Sequence, residues 1–275
     1  KAIKNNGTAI EFASSRLRNS RPFALAAVEQ SGYAYQYIGI TQKKDRQITL
    51  QAIKNGFPYE ELDTEFKNDY EISLEAAKSG ISYEDLGQKL KNNKEFLIES
   101  VSVGEYIYEE LPEKWKNNKD IILAVLKNTP EIYKDLTQKN KSDYDITLAA
   151  VTYDGDMLEY IPIEMKSNED IVFAALTQGK YSYEMIDSLS FTSDSIKHNV
   201  EFIVKLLRTL ENKYGIESRL NELKEINDEI FCDKKFIIGL IDLDEYIIDS
   251  ACDKLKNDDN FINELLTKSY YAFKY

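Results

Sequence analysis

Asn118-Lys119-Asp120-Ile121-Ile122-Leu123-Ala124-Val125-Leu126-Lys127 is answered 25 residues later by Asp143-Tyr144-Asp145-Ile146-Thr147-Leu148-Ala149-Ala150-Val151. A cap-type polar residue, an acid two places on and an apolar residue at the third place recur in register. Working outward, the apolar residue returns at Phe23, Ile48, Ile72, Phe96, Ile121, Ile146 and Ile171, at spacings of 25, 24, 24, 25, 25 and 25. Two residues after each stand Leu25, Leu50, Leu74, Ile98, Leu123, Leu148 and Phe173. At the fourth place come Ala27, Ala52, Ala76, Ser100, Val125, Ala150 and Ala175, mostly small, and the fifth place is apolar again. Apolar positions at 0, +2, +4 and +5 describe a broad helical face and not the alternation of a strand.

The boundaries of this helix, segment A, repeat as well. Ser20, Asp45, Asp69, Asn93, Asn118, Asp143 and Asn168 stand three residues before the opening apolar residue. All are residue types that cap free N–H groups. Gly32, Gly56, Gly80, Gly104, Gly155 and Gly179 stand at the other end, with Pro130 in the exceptional unit. A left-handed glycine is the expected reason. A second stripe follows, Tyr59/Leu62/Phe66, Tyr83/Leu86/Leu90, Tyr108/Leu111/Trp115 and Leu158/Ile161/Met165, whose spacing of 0, +3, +7 predicts a helical segment B of about ten residues. Helices this short are marginal alone and must stack on their neighbours.

The fold expected is therefore all-α, an α-solenoid of about ten stacked two-helix repeats with a 24–25 residue period. Residues 1–193 hold the regular repeats. Residues 194–275 hold divergent ones, continuous with the same solenoid, and the 34-residue step from Phe202 to Phe236 marks one extended unit. Ala2 and Ile3 match Ala27 and Val28 displaced by 25, so the first segment A is expected to begin before Lys1, with native sequence upstream.

The stretches 118–127 and 143–151 resemble a bacterial two-helix repeat family, the domain of unknown function 4116, with a pattern of the form D-x-E-[IV]-V-L-x-A-V-x-x-x-G. The short period is also similar to leucine-rich repeat variant and HEAT-like α-solenoids. The match covers residues 1–190 well and 199–275 loosely, and its motif of cap, core and glycine turn is structural. The resemblance implies a superhelical, protein-binding domain, often part of a larger protein and sometimes of a secreted effector.

Composition narrows the function. The chain carries 35 Lys+Arg against 48 Asp+Glu, a net −13. A surface of that sign repels phosphate backbones, so a nucleic-acid partner is not expected. No run of 18 apolar residues exists, and residues 1–7 lack the apolar core of a signal peptide. His198 is the single histidine, read as an ordinary surface residue, so no His-clustered metal site is expected. Cys232 and Cys252 read as inert thiols of a reducing compartment. There is no phosphate-cradling glycine loop, no G-x-S-x-G, no C-x-x-C and no H-E-x-x-H. Catalytic, metal-binding and cofactor-binding residues are accordingly expected to be none.

Two repeating features are candidates for contact with a partner. Glu60, Glu84, Glu109, Glu159 and Glu184 follow the segment-B aromatic or apolar residue at one register. They either form an acidic column for a basic partner or complement segment-B N-termini, as Lys67, Lys91, Lys116 and Lys166 complement the C-termini. Tyr33, Phe57, Tyr106, Tyr153 and Tyr181 fall in the A–B turns and are either contact residues or turn packing. The core tyrosines Tyr35, Tyr59, Tyr83, Tyr108, Tyr133 and Tyr183 are expected to stack with their hydroxyls at the surface.

The expectation is a monomeric, non-catalytic scaffold in the cytoplasm, or in a host cytosol if secreted, that binds a protein, its partner a basic or extended segment. A recruiting arm of a larger enzyme or effector is the alternative. An acidic mimic that blocks a nucleic-acid-binding protein stands behind both, because the acids are interleaved with 29 lysines.

Overall fold

The computed structural model of the chain describes residues 2–104, 107–178, 188–214, 216–244 and 246–269. Those residues form α- and 3-10 helices and no strand, an all-α repeat fold. The chain gathers into two compact units, 1–128 and 129–275. The loss of regularity after 193 falls inside the second. None of the described helices is long and apolar enough to cross a membrane.

In the first unit the A helices are Arg21–Gln30, Arg46–Lys54, Tyr70–Ala77, Lys94–Val103 and Lys119–Leu126. In the second they are Tyr144–Tyr153, Glu169–Gln178, Val200–Tyr214, Lys234–Leu240 and Asp259–Leu266. The caps act as the sequence predicts. Asp45 accepts from the Gln47 and Ile48 N–H groups at 2.9 and 3.2 Å, and Asp143 accepts from Asp145 and Ile146 at 3.0 and 3.2 Å. Ser20 occupies the same place but makes no side-chain cap bond; Pro22 in that first turn leaves one N–H fewer to satisfy. An additional helix, Glu217–Ile226, accounts for the long step between Phe202 and Phe236.

Each A helix packs against the next within its unit, from Arg21–Gln30 through Lys119–Leu126 and from Tyr144–Tyr153 through Lys234–Leu240. The stripe they bury is 0, +1, +4 and +5. The +2 leucines are only half-buried, whereas Thr49, Ser73, Leu97, Ile122, Thr147 and Val172 at +1 are fully buried. Phe23 departs from its register: it is 44% exposed and lines an apolar groove with Phe12 and Leu17.

Segment B is not the ten-residue helix expected. It breaks into two short pieces, Tyr59–Glu61 and Phe66–Asn68, then Tyr83–Asp85 and Gln88–Lys91, then Pro130–Asp135 and Gln138–Lys141. Leu62, Leu86 and Leu136 between the pieces are extended, with ψ of 148, 144 and 151°. The reversal lets the residue after the hinge reach the previous repeat: Gly39 N–H donates to the Arg18 carbonyl and Gly87 N–H to the Lys67 carbonyl, both at 2.8 Å. At the next hinge stands Pro112, which has no N–H and biases Leu111 toward extended backbone. There the Trp115 indole N–H supplies the missing donor, to the Lys91 carbonyl at 3.1 Å.

The turn glycines also divide by cause. Among the described residues only Gly56 and Gly80 have the left-handed backbone expected of all of them, with φ of 84 and 81°. Gly32 instead lies against the next repeat, where an added Cβ would stand 2.5 Å from the Ala52 and Asn55 carbonyl oxygens. Gly179 lies outside the described residues.

Cys232 and Cys252 are bonded to each other, with Cα atoms 5.2 Å apart across a separation of 20 residues. The reading of two inert thiols is thereby corrected, and the reducing compartment drawn from it loses its basis. Nearly one repeat length apart in sequence, the pair is brought to one joint by the repeat itself.

Candidate interaction surface

The core tyrosines organise segment B from within. Tyr35, Tyr59, Tyr83, Tyr108 and Tyr133 donate their hydroxyl to the backbone carbonyl eight residues on, that of Lys43, Lys67, Lys91, Lys116 and Lys141, at 2.7 to 3.3 Å. Eight residues of straight helix would separate the two by about 12 Å, so the break in segment B is what makes the bond possible. In three repeats the hydroxyl also shares a bond with a +1 side chain of the following A helix: Thr49 at 3.0 Å, Ser73 at 2.7 Å and Thr147 at 3.0 Å. The hydroxyls are inside, and the expectation of surface hydroxyls is corrected. Burial, only partly opposed by the bonds to Ser73 and Thr147, pushes the Tyr59 and Tyr133 pKa values up to about 12. Tyr183 lies outside the described residues.

In four of these pairs the lysine folds back over its tyrosine. Lys43, Lys67, Lys91 and Lys141 place Nζ 5.2 to 5.9 Å from the ring centroids. The same ammonium groups close segment B: Lys67 donates to the Glu60 carbonyl and Lys141 to the Lys134 carbonyl, both at 2.7 Å, and Lys166, eight residues after Leu158, donates likewise to the Glu159 carbonyl at 3.0 Å. Lys91 instead pairs with the Glu84 carboxylate at 2.9 Å. The spacing Tyr…Lys at i, i+8 in five repeats was the available signal for this unit.

On the outside, Glu60, Glu84, Glu109 and Glu159 are exposed. Glu60, Glu84 and Glu109 belong to the first unit, where Glu61, Asp85 and Glu110 double the column. Asp85 lies 3.9 Å from Lys67, and Glu110 is occupied, accepting from Ser82 Oγ at 2.7 Å and Tyr83 N–H at 2.6 Å. Glu60 and Glu109 make no ion pair among the described residues. Glu184 lies outside them.

The turn aromatics separate in the same way. Tyr33 is 53% exposed and Tyr153 is 37% exposed. Phe57 is buried, its ring centroid 4.7 Å from that of Tyr35, so it serves turn packing and not direct contact. Tyr106 and Tyr181 lie outside the described residues. Tyr33, Phe57 and Glu60 nevertheless converge: with Pro58, Ser82 and Asp85 they line a groove of about 400 Å³ between two successive A–B turns. The two left-handed glycines, Gly56 and Gly80, are both on its wall, and a Cβ at Gly56 would meet nothing within 4 Å. Its lining carries the carboxylates of Glu60 and Asp85, the phenols of Tyr33 and Tyr59 and no basic side chain, with Lys67 just outside it, 3.9 Å from Asp85. Chemically it suits a cationic side chain with an apolar stem. Tyr153 and Glu159 are in the other unit and are not part of it.

A second set of charges runs from repeat to repeat at the A-helix N-termini. Arg21 pairs with Asp45 at 2.7 Å, Arg46 with Asp69 and Glu71 at 2.7 Å each, and Lys94 with Asp120. Burial pushes the Asp45 and Asp69 carboxyls up. Bonds from Arg21 or Arg46 and from the helix N–H groups outweigh it and hold both below the ordinary carboxylate range. Among the described residues, no three His, Cys, Asp or Glu side chains converge as metal ligands.

The family model described as "Domain of unknown function (DUF4116)" matches residues 1–40, 45–91, 93–140 and 143–189, four tandem stretches that make up well over half of the chain. The chain therefore belongs to the DUF4116 family. No curated protein and no solved structure matches it.

Proposed function

We propose that this member of the DUF4116 family is a non-catalytic protein-interaction scaffold, and that its partner presents a basic, extended segment. The observation that carries the reading is the groove, which gathers Tyr33 of one repeat with Phe57 and Glu60 of the next beneath the exposed acids of the first unit. A lysine or arginine of the partner would lay its alkyl stem along Pro58 and place its charge between Glu60 and Asp85. Glu84 and Glu109 would meet further basic residues at intervals of about one helix diameter, roughly 10 Å. Repeat surfaces of this kind recognise extended partners along their length, and rim carboxylates mainly set association rate and salt dependence.

The test is surface plasmon resonance with immobilised chain and twelve-residue peptides of basic, neutral and acidic composition, at low and physiological salt. Basic peptides should bind, more weakly as salt rises, and Glu60→Lys with Glu109→Lys should abolish the salt-dependent part. Equal response to all three compositions, or unaltered binding by the double variant, would show that the groove and column are only solvated helix edges.

A further inference from the structure

Four joints between repeats are clasped at one register. The residue after the segment-B hinge donates its N–H to the previous repeat: Gly39 to the Arg18 carbonyl, Gly87 to Lys67, Ser193 to Lys166 and Cys252 to Phe231, at 2.8 to 3.2 Å. At three of these joints the residue following the acceptor completes the clasp. At two joints it is an asparagine, Asn19 or Asn68, packed so closely on Gly39 or Gly87 that a Cβ there would overlap its side chain. Asn19 Oδ1 then accepts from Thr41 Oγ1 at 2.8 Å, and Asn68 Oδ1 from the Lys89 N–H at 3.0 Å. In the second unit these two positions, follower and hinge, are Cys232 and Cys252. The disulfide stands where a noncovalent side-chain clasp stands elsewhere.

That substitution leaves the joint with one backbone hydrogen bond and one covalent bond. Beyond it lie the short helix Asp253–Lys256 and the A helix Asp259–Leu266, the last described elements, tied back also by Lys234 to Asp258 at 2.5 Å. The sulfur pair is reachable. Cys232 is exposed, Cys252 is half-buried, and Cys232 opens into a groove of about 540 Å³ with His198, Lys234 and Lys235. Glu201 and Asp233 share that groove, and Lys235 lies 3.9 Å from Glu201, so its charges are mixed.

We propose that Cys232–Cys252 is a reversible staple, opened by a dithiol reductant, that sets the local stability of the repeat following it. A thiolate of the dithiol attacks the exposed Cys232 sulfur. The Cys232–Cys252 bond breaks, and Cys252 leaves as a thiolate that takes a proton from water. The second thiol of the reductant then attacks its own sulfur in the mixed disulfide, closing a cyclic disulfide and releasing Cys232 as a thiol. Two electrons pass from the dithiol, which is oxidised, to the protein pair, which is reduced. Because Cys252 keeps its backbone bond to Phe231, opening loosens residues 253–266 and leaves the remaining repeats in place.

The experiment is hydrogen exchange read by mass spectrometry on the full chain, air-oxidised and after dithiothreitol. For a loop of this length, reduction should speed exchange at 253–266 by about a hundredfold, leave 46–126 unchanged, and be reversed by the oxidised cyclic form of the reagent. Cys252→Ser should exchange at 253–266 like the reduced protein and ignore dithiothreitol. Two titratable thiols in the native air-oxidised chain would overturn the proposal. So would unchanged exchange at 253–266 on reduction, equal acceleration in both units, or a dithiothreitol response that persists in Cys252→Ser.

Discussion

Tyr59→Phe isolates the bond that holds segment B in its broken form. The change keeps the ring and removes a hydroxyl that donates to the Lys67 carbonyl at 3.2 Å and shares a 2.7 Å bond with Ser73. The Lys67 carbonyl retains the Gly87 N–H at 2.8 Å. Ser73 does not fare as well: it is fully buried, and its remaining contact, to that same carbonyl, is 3.4 Å long. Two lost bonds at about 1 kcal/mol each, with a hydroxyl left nearly unpaired, give an expected cost of about 2–3 kcal/mol. Ser73→Ala alone should cost about 1 kcal/mol, since Tyr59 keeps its carbonyl. The double variant removes the stranded hydroxyl as well, so its cost should fall short of the sum by about 1 kcal/mol. Tyr83→Phe is the control: Leu97 stands where Ser73 would be, the single bond is 3.3 Å long, and about 0.5–1 kcal/mol is expected. Urea denaturation followed by circular dichroism, with unchanged slope, reads all four. Additive costs, or a Tyr83→Phe as damaging as Tyr59→Phe, would refute the account of the buried hydroxyl.

Other consequences follow from the same residues. Tyr59 and Tyr133 have folded pKa values near 12 against an ordinary 10, so the native state holds those protons more tightly. Their contribution is complete below pH 10 and is lost as pH rises toward 12; Tyr59→Phe should flatten that alkaline limb of a stability-against-pH curve. Asp45 and Asp69 shift the opposite way, so their contribution is present above the ordinary carboxylate pKa and is lost as pH falls through their lower folded values. Arg46→Gln should make the acid limb shallower while costing only about 0.5 kcal/mol at neutral pH, because the guanidinium is half exposed. The two kinds of glycine should separate on substitution by alanine. Gly56→Ala meets no atom and should cost about 1 kcal/mol for its left-handed backbone, whereas Gly32→Ala drives a Cβ into two carbonyls and should cost about 3 kcal/mol. Thermal melting that ranks Gly56→Ala as the worse would contradict this.

The A helices were legible because a cap-type residue and a 3.6-residue stripe coincide in each, joined in most by an acid in the first turn. Segment B was not, because its stripe of Tyr, Leu and Phe at 0, +3, +7 reads equally well across a helix or across two short turns that share a face. What decides between them is nonlocal, the hinge N–H reaching an earlier repeat and the tyrosine hydroxyl reaching a carbonyl that a straight helix would carry out of range. The +1 position was missed for a related reason. Thr49, Ser73 and Thr147 look like polar edge residues until the tyrosine 14 residues earlier is seen to need them. The disulfide was hidden by the reverse error. Two cysteines 20 residues apart carry no local motif, and only the repeat's return to the same joint makes them neighbours. At the candidate surface, the exposed glutamates were foreseen and the burial of Phe57 was not, since a turn position in sequence says nothing of which way the ring points.

The cap, lysine and tyrosine positions of the period cannot by themselves name a partner, because each already has a structural task. The caps hold N–H groups, the lysines close segment B, and the tyrosines fix the hinge. Specific function must then reside where neighbouring repeats differ. Within the first unit the largest such difference is the pair Gly56 and Gly80, which leave the wall of one turn without side chains, while Gly32 in the adjoining repeat is packed shut. An opening maintained by two left-handed residues costs stability that a packed turn would not. The acids around it, Glu60 and Asp85, add like charge to a chain already at −13. Both costs act against the isolated fold, and under the proposed reading a basic side chain seated in the groove would offset the second. Filling the opening is therefore the informative change. Glu60→Lys supplies the missing charge from within, so it should raise stability slightly while removing affinity for basic peptides, an opposition that a merely structural turn would not show.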